Sequence, residues 1–198
     1  MTGYISYRGY AAMQHADAVL VFSDFIREVR PERILEIGTA HGGLTLAMRD
    51  LLNEAGLSAS AVRSFDVVDR LWYDTIRSYN IEIIVDNVFA PHFVELTKPE
   101  LIQPFIQGEG TTVVLCDGGY KIREFNLIAP YLKVGDYIMA HDYVDTEENF
   151  RNNFFDKIWN WQEIKESDIQ VACDQHQLAD CHKAAFNAVA WVCKKRLA

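Results

Sequence analysis

Short apolar runs alternate with segments whose apolar residues recur at helical spacing as far as residue 140. The runs predict five strands, over residues 33–37, 62–68, 81–85, 111–116 and 137–140. The helical spacing predicts helices before and between them, over residues 18–29, 44–52, 70–78, 91–97 and 121–132. Strands that are apolar almost throughout are typical of a parallel sheet covered by helices on both faces. The pattern therefore predicts an α/β fold with a doubly wound, mostly parallel sheet.

The pattern changes in the last third of the chain. One set of residues has the spacing of a helical face and predicts a helix that packs in the core: Phe150, Phe154, Ile158 and Trp161. The apolar run over 188–193 predicts a last, central strand, and we expect about seven strands in total. Because no internal repeat or low-complexity linker divides the chain, residues 1–198 are predicted to form a single domain.

Composition and charge narrow the classes of ligand. With 49% hydrophobic and 24% charged residues, the chain of 198 residues is an ordinary folded protein. Nineteen basic against 28 acidic side chains give a net charge of -9, which argues against nucleic acid as the main partner and favours a neutral, cationic or metal-bridged ligand. Four cysteines suggest reduced thiols. The sequence shows neither a targeting segment nor a membrane-length apolar run, so a cytoplasmic location away from membranes is predicted.

A glycine-rich turn follows the first predicted strand of the sheet, where open α/β folds bind ligands. It reads Glu36-Ile-Gly-Thr-Ala-His-Gly-Gly43. No lysine follows its glycines, as a phosphate loop requires, and Ala40 replaces the central glycine of the dinucleotide fingerprint. The acidic Glu36 suits a cationic ligand head better than a phosphate.

Acidic residues also end the next two strands. Asp66 is placed to accept a hydrogen bond from a ribose hydroxyl, as acids at this strand do in nucleoside-binding sheets. Asp86 and Asn87 could meet an adenine edge or could simply be solvated strand-end residues.

The motif E-x-G-x-x-x-G followed by an acid on the next strand resembles the class I (Rossmann-like) S-adenosylmethionine-dependent methyltransferases. The resemblance implies that the chain binds S-adenosylmethionine, which carries no phosphate and bears a sulfonium and an ammonium. It implies this cofactor-binding set: Glu36, Gly38, Thr39, Gly42, Gly43, Asp66, Val67, Asp86, Asn87 and Asp117. It also draws attention to Gln14 and His15, because similar methyltransferases often place cofactor or substrate contacts at the first helix.

A second group of polar residues follows the fourth and fifth predicted strands. Asp117 ends one strand, and His141 and Asp142 end the other. Neighbouring parallel strands would bring the three to the same sheet edge as the glycine turn. Two carboxylates and an imidazole could hold Mg²⁺, and also suit Mn²⁺, Fe²⁺ or Zn²⁺.

This stretch is similar to the macrocin O-methyltransferase and cephalosporin hydroxylase-like family in four short motifs: D-G-x-Y at 117–120, A-P-Y-L at 129–132, G-D-Y at 135–137 and D-Y at 142–143. The resemblance implies that Asp117 and Asp142 ligate Mg²⁺, which fixes two substrate oxygens for attack on the methyl group. His141 departs from the family, which usually has a carboxylate there. It could be a third ligand, or it could act with Asp117 in catalysis as a general base. Alternatively, the site has lost its metal and His141 only hydrogen-bonds locally.

These observations together predict S-adenosylmethionine-dependent O-methylation of a small-molecule or sugar hydroxyl by a metal-assisted enzyme, with homo-oligomers possible. Two alternatives stay open, namely an NAD-dependent oxidoreductase and a non-catalytic cofactor-binding protein. A separate cluster of soft ligands could bind Zn²⁺ or could simply lie in a loop between the last two strands: Cys173, His176, Cys181 and His182.

Overall fold

Strands and helices alternate along the chain in the computed structural model, which describes residues 5–198. The strands are β1 (Ser6–Tyr7), β2 (Tyr10–Ala11), β3 (Arg33–Ile37), β4 (Ala61–Asp66), β5 (Glu82–Val85), β6 (Thr112–Cys116), β7 (Tyr137–His141), β8 (Leu178–Asp180) and β9 (Trp191–Arg196). The helices are α1 (Ala18–Val29), α2 (Gly43–Glu54), α3 (Tyr73–Arg77), α4 (Pro99–Gln107), α5 (Lys121–Ile128), α6 (Glu147–Asn149), α7 (Glu166–Gln175) and α8 (Lys183–Asn187).

Seven of the strands form one sheet in the order β5-β4-β3-β6-β7-β9-β8. The first five are parallel, whereas β9 runs antiparallel to both of its neighbours, β7 and β8. Ile37 is in register with Phe65 and Cys116, and Cys116 is in register with Ala140. The residues that follow these four strands therefore meet at one edge, which confirms the predicted doubly wound sheet.

Apolar side chains cover both faces of this sheet. In β3, the buried Ile34 packs in one cluster with helices α1, α2 and α8, while the buried Leu35 packs in another with α4, α5 and α7. Side chains alternate between the two faces of a strand, so a strand buried on both sides must be apolar at nearly every position. This is the physical origin of the continuous apolar runs in the sequence.

The helix predictions over 91–97 and 121–132 were too long. The first segment forms only a short 3₁₀ turn, Pro91–Phe93, in which His92 has a φ of 62°. Helix α5 ends at Ile128, where a 3₁₀ turn containing Pro130 continues it, because proline has no N–H to donate to the helix. Helices α4 and α7 were not predicted.

The predictions for the last third of the chain need correction. A π-helical turn, Phe150–Phe154, buries Phe154, but the chain then leaves the helix and Trp161 is 63% exposed. The last strand covers Trp191–Arg196 and lies between β7 and β8 rather than at the centre of the sheet. In the described part of the chain, no helix is long and apolar enough to cross a membrane. The first four residues of the predicted domain lie outside the described residues.

Candidate active site

The glycine turn brings the ends of β3 and β6 into direct contact. Gly38 has a φ of 98°, and its amide donates to the carbonyl of Phe65 over 2.8 Å. A Cβ atom here would lie 2.6 Å from the carbonyl carbon of Asp117. Only glycine combines this backbone conformation with so close an approach, so Gly38 fixes the position of Asp117 relative to the turn.

Asp66 braces the other side of the turn. Its Oδ2 accepts from the amide of Ala40 over 2.7 Å and from the Tyr73 hydroxyl over 3.0 Å, while its Oδ1 accepts from the amide of Val68 over 2.9 Å. A carboxylate oxygen can accept two hydrogen bonds, so Oδ1 has capacity left for a ligand hydroxyl. Asp66 therefore holds the turn and also remains available to a ribose.

Two cavities meet at this edge of the sheet. One of about 330 Å³ is lined by the residues after β4 and β5, including Asp66, Val67, Asp86 and Asn87. The other, of about 610 Å³, is lined by residues after β6 and β7 together with two tryptophans: Asp117, Lys121, His141, Asp142, Trp159 and Trp161. Gly38, Ala40, Asp117 and Gly118 line both. The turn is thus the boundary between two adjoining binding volumes.

Asp86 is held by a lysine that the sequence analysis did not identify. Lys98 Nζ lies 2.5 Å from each oxygen of Asp86, and this hydrogen-bonded ion pair lowers the pKa of Asp86. Asn87 Oδ1 accepts from the amide of Phe89 over 3.0 Å. The two residues line the smaller cavity, but much of their hydrogen-bonding capacity is already used within the protein.

Three residues of the predicted cofactor-binding set line neither of the two cavities. Glu36 is 1% exposed and accepts from the hydroxyls of Thr45 and Ser64 behind the turn. Gly42 packs against the side chain of Ile76, and a Cβ on Gly43 would lie 2.6 Å from the Ala11 carbonyl oxygen. These three residues fix the turn from behind, and their contact with the cofactor stays a prediction.

The remaining turn residue, Thr39, lines the larger cavity while its hydroxyl lies 2.6 Å from the Ser64 hydroxyl. Ser64 thereby links the cavity wall to Glu36. Within residues 5–198, Glu36 Oε1 has no hydrogen-bond partner. Burial raises the pKa of Glu36 to about 7, despite the two hydroxyl groups that donate to it.

Asp117 is held from two sides. Its Oδ1 lies 3.0 Å from His141 Nδ1, and its Oδ2 accepts from Gln14 Nε2 over 2.7 Å. Gln14 is fully buried, and its Oε1 accepts from the indole of Trp191 over 2.8 Å. Gln14 therefore positions the Asp117 carboxylate, while a contact of Gln14 or His15 with cofactor or substrate stays a prediction.

His141 is enclosed by aromatic rings. It is 3% exposed, and its ring centroid lies 5.0 Å from those of both Trp159 and Trp191. With an Nδ1–H that donates to Asp117, the Nε2 atom carries a lone pair. This Nε2 is buried and has no partner among the described atoms of the chain. An oriented imidazole with an unused lone pair can accept a proton or ligate a metal.

Asp142 lies beside a buried lysine. Its Oδ2 is 3.0 Å from Lys121 Nζ, and its Oδ1 accepts from the indole of Trp159 over 2.7 Å. Lys121 Nζ also contacts Glu163 over 3.1 Å and donates to the Gly118 carbonyl over 2.9 Å. Burial lowers the pKa of Lys121, but the surrounding carboxylates outweigh it and the net pKa is raised. Lys121 is therefore a charged ammonium inside the site.

The three predicted metal ligands do converge. His141 Nδ1 lies 3.0 Å from Asp117 Oδ1 and 3.6 Å from Asp142 Oδ1. In the arrangement described for residues 5–198, however, no three His, Cys, Asp or Glu side chains are placed to hold a metal ion. Lys121 and Trp159 were not identified from the sequence, although a lysine four residues after Asp117, in the first turn of a helix, was a usable signal.

The soft-ligand cluster does not form a zinc site. Cys173 is buried in helix α7, and Cys181 pairs through its amide with the carbonyl of Cys193 over 3.0 Å. His182 lies 3.4 Å from Glu28 on helix α1. Because these side chains belong to different packing environments, and no metal-holding group occurs in the described chain, the zinc hypothesis is wrong for this arrangement.

Comparisons with known proteins agree with this fold. The sequence model of the family described as Rhamnosyl O-methyltransferase/CmcI matches residues 2–166. The solved structure described as "CmcI-N160 apo-structure" has a TM-score of 0.67 at 17% identity, covering 98% of this chain and 76% of that one. A comparison with curated protein sequences found no match.

Two further structures are similar in fold and were described with ligands. One, "cmcI-D160 Mg-SAM", has a TM-score of 0.60 at 17% identity, covering 96% of this chain and 76% of that one. The other, MycE methyltransferase from the mycinamycin biosynthetic pathway in complex with Mg, SAH and mycinamycin VI, has a TM-score of 0.51 at 14% identity. That match covers 89% of this chain and 48% of the MycE chain.

Proposed function

Because this chain belongs to the rhamnosyl O-methyltransferase/CmcI family, we propose that it transfers a methyl group from S-adenosylmethionine to a hydroxyl of a small molecule or sugar. Membership in an O-methyltransferase family rests on a match over residues 2–166. It favours methyl transfer over the nicotinamide-dependent and non-catalytic alternatives.

The observation that carries the proposal is the junction of two cavities at Gly38 and Asp117. The smaller cavity would take the adenosine, with Asp66 Oδ1 accepting from a ribose hydroxyl. The larger cavity would take the methionine part and the acceptor. A sulfonium at the junction would then present its methyl group towards His141 and Asp142 in the larger cavity.

We propose that His141 is the general base, oriented by Asp117. The acceptor oxygen attacks the methyl carbon as the carbon–sulfur bond breaks, and the sulfonium becomes a neutral thioether. The hydroxyl proton would pass to His141 Nε2, which has no hydrogen-bond partner within residues 5–198. Positioning of the two reactants and proton removal are the main sources of acceleration for such a displacement.

Metal assistance is a further part of the proposal. Two carboxylates and an imidazole suit a divalent ion by donor type. The imidazole of His141 favours Mn²⁺, Fe²⁺ or Zn²⁺ over Mg²⁺. Magnesium accompanies the cofactor or its product in the two ligand-bound structures above. Asp117, His141 and Asp142 would hold the ion, which when bound would polarise the acceptor oxygen as a Lewis acid. His141 can serve as ligand or as base, but its single Nε2 lone pair cannot do both at once.

Binding and transfer assays test the function. Calorimetry should detect S-adenosylmethionine binding, and tritium from a labelled methyl group should appear on sugar or phenolic hydroxyls. Asp66→Asn should weaken cofactor binding by about tenfold, the magnitude of one lost hydrogen bond to a charged group. The exposed Asp69 nearby provides the control, since Asp69→Asn should bind as wild type. Absence of binding at millimolar cofactor would reject the proposal.

The cytoplasmic location, the single domain over 1–198, the homo-oligomer and the exclusion of nucleic acid remain predictions from the sequence. The free thiols of Cys116, Cys173, Cys181 and Cys193 support the location, since reduced cysteines are typical of proteins from reducing compartments.

A further inference from the structure

Lys121 stands out in the larger cavity because its ammonium lies among carboxylates that the proposed function assigns to a metal. Its side chain is 8% exposed and its Nζ contacts Asp142 Oδ2 over 3.0 Å and Glu163 Oε2 over 3.1 Å. A cation so placed gives Asp142 the charge compensation that a divalent metal would otherwise provide. A competition between this ammonium and a metal rests on the proposed function.

Hydrogen-bond donors of the protein occupy the remaining carboxylate oxygens. Asp142 Oδ1 accepts from the Trp159 indole over 2.7 Å, and Asp117 Oδ2 accepts from Gln14 over 2.7 Å. The carboxylates are therefore satisfied without a metal, which removes the desolvation cost that buried unpaired charges would carry.

The lysine is held in place at two points. Glu163 accepts from the Lys121 backbone amide over 2.8 Å as well as contacting its ammonium. The Glu163 amide in turn donates to the carbonyl of Asp142 over 3.0 Å. Glu163 thus links the Lys121 ammonium to Asp142, the residue that the metal would require. Displacement of Lys121 therefore disturbs both Glu163 and Asp142.

We propose that Lys121 is an internal competitor of the divalent metal: its ammonium takes the place of the ion beside Asp142, and metal binds only when the ammonium leaves. Divalent metal binding is therefore weaker in this chain than its carboxylates alone would give. In the lysine-paired state, the Nε2 atom of His141 is free to act as the base.

Direct measurement of metal affinity tests the competition independently of catalysis. MnCl₂ is titrated into the full chain, with free Mn²⁺ followed by electron paramagnetic resonance. The variant Lys121→Gln/Glu163→Gln removes one positive and one negative charge together, so the net charge is unchanged while Asp142 loses its lysine partner. It should bind Mn²⁺ at least about tenfold more tightly than wild type, as expected when a like charge a few ångströms away is removed.

Two further variants make the result specific. Lys121→Arg keeps the positive charge and should stay within about twofold of wild type. Lys133→Gln removes the lysine that pairs with the buried Asp136 over 2.9 Å just before β7, at the opposite end of the sheet. It should leave Mn²⁺ affinity unchanged, since it lies away from the site.

The proposal is overturned if the double variant binds Mn²⁺ no more tightly than wild type, whether both bind well or neither binds. It is also overturned if Lys121→Arg gains affinity as the double variant does. Calorimetry with S-adenosylmethionine in metal-free buffer is run on the same samples. If wild type does not bind S-adenosylmethionine, the result counts against the proposed function. If the double variant has the Mn²⁺ affinity of wild type, the result counts only against the competition.

Discussion

Neutralising Glu36 should stabilise the protein at alkaline pH. Glu36 is fully buried behind the glycine turn, and burial raises its pKa from 4.5 to about 7. Glu36→Gln removes the ionisable group while its amide oxygen can still accept from the Thr45 and Ser64 hydroxyls that contact Glu36. The substitution therefore changes the charge with little change in shape.

The magnitude follows from the pKa shift. The folded chain binds the Glu36 proton up to about pH 7, whereas the unfolded chain releases it near 4.5. Between these pH values the folded state holds more protons, so the free energy of unfolding falls as pH rises. A rise from 4.5 to about 7 corresponds to about 3 kcal/mol, at about 1.4 kcal/mol per pKa unit. Wild type and variant should be similar at pH 4 and should differ by about this amount at pH 8.

Urea denaturation followed by circular dichroism at several pH values between 4 and 9 measures this difference. Glu54→Gln, at the exposed C-terminal end of helix α2, is the matched control and should not change the pH profile. Burial also raises the pKa of Glu124 to about 7, so part of the wild-type slope should persist in Glu36→Gln. Parallel profiles for wild type and Glu36→Gln would refute the reasoning, because they would mean that Glu36 has an ordinary pKa in the folded chain.

Two other substitutions probe the turn and the base. Gly38→Ala should lower the free energy of unfolding by more than Gly135→Ala. Both glycines have a positive φ near 95°, but only the Gly38 Cβ would meet the Asp117 backbone. Equal decreases in the midpoint of thermal unfolding would show that the close approach is unimportant. His141→Ala should reduce the rate of methyl transfer by about 10²–10⁴ while the dissociation constant for S-adenosylmethionine stays within about twofold, and an unchanged initial rate would exclude His141 as the base.

The sequence was sufficient for features that depend on local pattern. The apolar run that forms β3 and the turn at Gly38 were located to the residue, because a strand buried on both faces and a tight turn leave distinct local signatures. The direction of β9 could not be predicted from the sequence. An apolar run indicates burial, but whether the strand runs parallel or antiparallel depends on the path of the preceding chain, here through α7, β8 and α8.

The site could be predicted in its acidic residues but not in their partners. Asp117, His141 and Asp142 follow strands, so topology brings them together. The pairing of Asp142 with Lys121 and Trp159 depends on side-chain packing between separate elements, which carries no periodic signal. For a related reason, a glycine in the sequence does not show what occupies the space that its missing side chain leaves. At Gly42 and Gly43 the absent side chain makes room for Ile76 and Ala11 of the protein itself.

The hydrogen-bonded series Trp191–Gln14–Asp117 has a consequence for how the protein is made. The five parallel strands are complete once His141 has been synthesised, but the indole that holds Gln14 belongs to Trp191, about 50 residues later. Translation proceeds at about 5–20 residues per second, so the indole that fixes the Asp117 carboxylate from this side is made several seconds after His141. Synthesis of the last strand is thus the event that completes the candidate active site.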